Sequence, residues 1–90
     1  MGFWPNKREM SVYYLLKKRF GDRFNLGEGL EVLSPYFSRK VALNIIKRLT
    51  KLGLLEKRGN FEYAIVDLEE WLGKRTEEYL EARKGRHSSS

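Results

Sequence analysis

The 90-residue chain contains no cysteine and no glutamine, and only one histidine and two prolines. Without cysteine there is no disulfide framework and no thiolate metal site, and the lone His87 cannot supply a histidine cluster, so no metal is expected. Long apolar runs are missing as well. The longest, Val12 to Leu16, falls far short of the roughly 18 residues a membrane span needs. No charged leader followed by an apolar stretch opens the chain, and we expect a cytoplasmic protein with no membrane contact. There is no Gly-rich phosphate loop and no cysteine nucleophile, and the only histidine lies in a polar tail; we expect no enzyme, no cofactor and no small-molecule ligand.

Charge is what the chain has in quantity. Charged residues make up 33% of it, dominated by Lys, Arg and Glu, a profile that leans towards thermophilic proteins. The formal net charge of +6 is unevenly placed. Residues 1–66 hold 13 basic and 6 acidic side chains, whereas residues 67–90 hold 5 and 6. An excess of this kind favours an anionic partner for the first two thirds of the chain. Ninety residues suffice for one core, so the expected division is a body over 1–66, a helix over 67–84 and a disordered tail over 85–90.

The stretch from Ser38 to Gly59 carries most of the information. Val41, Ala42, Ile45, Ile46, Leu49 and Leu52 recur at helical spacing and predict one buried face. Lys40, Asn44, Lys47 and Lys51 follow one another at steps of four, three and four, with Arg39 and Arg48 at the flanks, and predict a basic stripe on the opposite face. Ser38 is placed to cap this helix and Gly53 to end it. Leu54 to Arg58 and Phe61 to Val66 then alternate as two strands around a Gly59-Asn60 turn, with Phe61, Tyr63 and Ile65 on one face.

Upstream, Asn6 can cap a helix running to about Phe20 that Gly21 ends. Asp22 to Leu26 suits a brief strand with Phe24 and Leu26 inward, and Glu28 to Ser34 a short helix stopped by Pro35. Phe3 and Trp4 are either a lid on the core or a patch joining two subunits. Two helices joined by a turn of about four residues, the second with a cationic face, form a helix-turn-helix arrangement. Downstream, Asp67 and Glu70 predict a capping box for a last helix carrying Leu68, Trp71, Leu72, Tyr79 and Leu80.

The order helix, strand, helix, turn, helix, hairpin over residues 8–66 resembles the winged helix-turn-helix domain of small archaeal and bacterial transcription regulators. The segment IIKRLTKLGLLEKRGNFEYAI carries most of that resemblance. It implies an α+β, mostly α fold: a three-helix core, a short β-hairpin wing and an added C-terminal helix. It also implies sequence-specific binding of double-stranded DNA, with Ser38, Arg39, Lys40 and Asn44 reading bases from the major groove. Lys47, Lys51, Lys57 and Arg58 would then contact phosphates, the last two from the wing. Such regulators pair to read two half-sites, so a homodimer is expected, with Leu68, Trp71, Leu72, Tyr79 and Leu80 as its interface. The competing reading is a winged helix that serves as a protein-interaction or RNA-binding adaptor in a replication, transcription or RNA-processing complex.

Overall fold

Local hydrogen bonds set the helix boundaries of this chain. In the computed structural model, which describes residues 4–87 and side chains from Trp4 to Lys84, Asn6 starts the first helix by a reciprocal pair of bonds. Its side-chain oxygen accepts the Glu9 amide at 2.8 Å, and Glu9 Oε1 accepts the Asn6 amide at 2.9 Å. Two of the amides that a helix start leaves unpaired are thereby satisfied. Helix α1 runs Lys7–Phe20, strand β1 Arg23–Asn25, α2 Leu26–Leu33, α3 Arg39–Leu52, β2 Leu55–Lys57, β3 Glu62–Ile65 and α4 Leu68–His87. The architecture is α+β and mostly helical.

The three strands form one antiparallel sheet in the order β1-β3-β2. Phe24 pairs with Tyr63, and Tyr63 with Lys57; in the next row on the same face Leu55 pairs with Ile65. That face closes over the helices. Phe24 and Tyr63 stack at 5.5 Å, and both are buried with Leu55 and Ile65. Helix α1 contributes Val12, Tyr13 and Leu16, α2 Leu30 and Leu33, and α3 Ala42, Ile45, Ile46 and Leu49 to the same core. Each fully buried aliphatic side chain of this kind contributes about 1.5–3 kcal/mol.

Several boundaries depart from the sequence expectation. Helix α2 begins two residues early, because Asn25 caps it through the Gly27 amide at 2.9 Å; Leu26 therefore enters the helix and is only half-buried. Phe61, expected to share a strand face with Tyr63 and Ile65, falls just outside β3 and is 64% exposed. The β2–β3 connection is also longer than a two-residue turn, with Arg58 still bonded to Glu62 and Gly59 to Phe61 crossing over. Helix α4 continues beyond Lys84 to His87, into the stretch expected to be disordered, while Ser88 to Ser90 and Phe3 lie outside the described residues.

Candidate nucleic-acid interface

Helix α3 is fixed at both ends by the residues its sequence provides for that purpose. Ser38 Oγ accepts the Val41 amide at 3.3 Å. Gly53 takes the left-handed conformation at φ 91°, and its amide reaches the carbonyls of Leu49 and Thr50. Such a backbone is natural for glycine and strained for other residues. Between the caps, Ala42, Ile45, Ile46, Leu49 and Leu52 turn inward. Lys40, Asn44, Lys47 and Lys51 are exposed along the outer side, with Arg39 exposed at the first turn. From Lys40 to Lys51 this ladder extends about 16 Å at the α-helical rise. Helix α3 has no acidic residue, so nothing on the helix itself neutralises the stripe.

Arg48 has a different position. Its Nε donates to Glu9 Oε2 at 3.2 Å, and Glu9 is only 7% exposed. The carboxylate that completes the α1 cap thus also ties α1 to α3, and Arg48 serves that junction. An ion pair with one buried partner is costly to break from either side, because the remaining charge stays desolvated.

Lys57 and Arg58, expected as a pair on the wing, are in different settings: Lys57 is the last residue of β2, and Arg58 follows it in the connection to β3. Lys57 shares the face of Leu55 and Tyr63, which packs on the helices, and remains exposed at its edge. Arg58 lies on the outer face with Glu56, whose carboxylate it meets at 2.8 Å with both side chains largely exposed. The hairpin therefore adds one cation to the helix-facing side, whereas Arg58 shares its charge with an acid. Phe61, at the end of the hairpin, shares the alternation of Tyr63 in the sequence, but it lies in the connection before β3 and is exposed where Tyr63 is buried.

The base of α4 is attached to the end of α3. Trp71 Nε1 and Arg75 Nη2 both donate to the Leu52 carbonyl at 2.7 Å. That carbonyl belongs to the last turn of α3, where intrahelical partners run out and a cation is favoured by the helix dipole. Trp71 is 5% exposed. Trp4 meets it edge to face at 5.3 Å, and the Arg75 guanidinium lies 5.2 Å over its ring. Trp71 is therefore a core residue and is not available as the interface residue the sequence suggested. Leu68 is half-buried against the core, whereas Leu72, Tyr79 and Leu80 are exposed. Asp67 caps α4 through the Glu70 amide at 3.2 Å and faces Lys17 Nζ at 3.8 Å.

Tyr13 closes the junction between α1 and the start of α4. Its hydroxyl donates to the Val66 carbonyl at 2.6 Å. Burial first, and then the nearby Asp67 carboxylate, push this phenol above its ordinary value of 10.0, opposed by a bond from the Leu68 backbone. Neutral, it keeps its role as donor.

Among the described residues no group of three or more His, Cys, Asp or Glu side chains could hold a metal ion. No helix among them is long and apolar enough to cross a membrane. Compared with protein-family models, curated proteins and solved structures, the chain matches none.

Proposed function

We propose that this chain is a winged helix-turn-helix protein that binds double-stranded DNA sequence-specifically, as a homodimer, and acts in transcription regulation. The observation that carries the reading is the exposed ladder of Lys40, Asn44, Lys47 and Lys51, flanked by Arg39, on a helix with no acidic residue. A helix of this charge can lie in the major groove, which is wide enough to admit it. Arg39 and Lys40 at its start reach base edges or phosphates, and Asn44 is of the residue type that bonds adenine bidentately. Lys47, Lys51 and Lys57 neutralise phosphates. The hairpin that follows α3 acts as the wing. Arg58, shared with Glu56 on the far face, contributes least.

Titration of duplex DNA at two salt concentrations tests the reading, since phosphate neutralisation makes affinity fall steeply with salt. Replacing Lys40 and Lys47 together by Ala is expected to weaken binding at least tenfold while leaving the unfolding midpoint unchanged, because both side chains are exposed. Unaltered affinity of the folded double variant would remove α3 from the interface. Salt-insensitive binding, or none, would favour a protein-contact role for the same face.

A further inference from the structure

The first turn of α1 carries charge of the wrong sign for its position. A helix start is the positive end of the backbone dipole and favours acidic side chains, yet Lys7 and Arg8 occupy its first two positions. The one acid of that turn, Glu9, is already engaged by the Asn6 cap and by Arg48. Lys7 and Arg8 are exposed and form no ion pair among the described residues. At the other end of α1, Lys17, Lys18 and Arg19 stand where the dipole favours them. Departures from local preference of the kind Lys7 and Arg8 make are expected at functional sites.

Packing brings this helix start to the edge of the basic face of α3. Arg48, which Glu9 binds, is next to Lys47 and one turn from Asn44 and Lys51. From that junction α1 runs inward: Val12, Tyr13 and Leu16 enter the core, and Phe20 at its end stacks on Phe24 of β1 at 5.7 Å. The N-terminus is therefore the end of α1 nearest the ladder. Lys7 also stands beside Tyr36 and Phe37, which lead into the Ser38 cap. Neither α3 nor the turn from Ser34 to Ser38 contains an acidic residue, so the two cations continue the positive surface. Packed helices lie about 8–10 Å apart, and the major groove is about 12 Å wide. With α3 in the groove, the start of α1 faces the sugar–phosphate strand that walls it.

We propose that Lys7 and Arg8 form a second phosphate clamp on double-stranded DNA, gripping the backbone beside the groove that α3 occupies. The contact is with phosphate, so it adds affinity without sequence preference. The Glu9–Arg48 bond sets its register, because it ties the start of α1 to the ladder and lets both engage the duplex as one surface. The arrangement gives up some helix stability for DNA affinity, and the two effects can be measured apart.

The inference rests on the DNA reading and extends it. Each phosphate neutralised adds about 0.9 to the log–log salt slope, so replacing Lys7 and Arg8 together by Ala should lower its magnitude by about 1.8. Affinity is expected to fall roughly tenfold or more, by a similar factor for unrelated duplex sequences. The unfolding midpoint should stay level or rise, since two cations leave the positive end of a helix dipole. Lys7→Arg with Arg8→Lys should keep the wild-type slope. Lys18→Ala with Arg19→Ala removes the same charge from the far end of α1 and should leave the slope unchanged. Equal losses from the two alanine pairs would assign the effect to net charge and overturn the clamp, as would a wild-type slope after replacement of Lys7 and Arg8. A wild-type chain that binds no duplex at low salt would overturn the DNA reading and the clamp together. Binding that depends on Lys40 and Lys47 but not on Lys7 and Arg8 would overturn the clamp alone.

Discussion

Tyr13 shows how one side chain couples burial to pH. Its phenol is raised by burial and by Asp67, so the folded protein holds this proton more tightly than the unfolded chain does. The associated stability is fully present below the unfolded value of about 10 and is lost as pH rises through the folded value. Denaturant unfolding between pH 8 and 11 is expected to show an alkaline decline that Tyr13→Phe flattens, at the cost of the bond to Val66 at neutral pH. Arg48 and Glu9 make a related point about position. On a helical wheel Arg48 belongs to the flank of the basic stripe, yet it bonds a buried carboxylate thirty-nine positions away. Phe61 is the reverse case, an aromatic in a strand pattern that the end of the core leaves in solvent.

Helices α3, of 14 residues, and α4, of 20, are held in different ways. Helix α3 has caps at both ends, one apolar face and one basic face, and is held along its length. Helix α4 has a cap and an anchor at its start, and then an arm. Glycine substitutions separate the two. Gly53→Ala forces a side chain onto a φ of 91° and is expected to destabilise by roughly 1–2 kcal/mol. Gly73→Ala, in a helix interior with nothing within 4 Å of the added methyl, is expected to stabilise by about 1 kcal/mol. Chemical denaturation of the two variants checks both signs.

For the whole molecule, charge is distributed by position more than by amount. Residues 1–66 carry a net charge of +7 and residues 67–90 a net charge of −1. If Arg39, Lys40, Lys47, Lys51 and Lys57 each neutralise a phosphate, the log–log dependence of DNA affinity on salt has a slope of about −4.5 per bound protomer. Arg58→Ala should leave that slope nearly unchanged, since its charge is already opposed by Glu56 on the far face; Lys57→Ala should reduce its magnitude by about 1. A binding titration over a range of salt for the two variants distinguishes the faces. Equal effects would place both residues against the backbone of the duplex.

Most of the helix limits and the basic ladder were legible in the sequence because they depend on neighbours in the chain. Asn6, Ser38, Gly53 and Asp67 act through bonds that reach three or four residues, and the ladder follows from helical spacing alone. What those surfaces meet was settled only in three dimensions. Trp71 and Leu72 are adjacent in an apolar pattern, yet Trp71 fills the junction with α3 and Leu72 faces out, because successive helical residues are turned about 100° apart and only one side of the start of α4 meets the body. Lys57 and Arg58 are adjacent basic residues, yet Lys57 ends β2 beside Tyr63 whereas Arg58, just past the strand, is paired with Glu56. Periodicity and capping fix how a segment folds on itself, whereas burial depends on which distant residues come to lie over it.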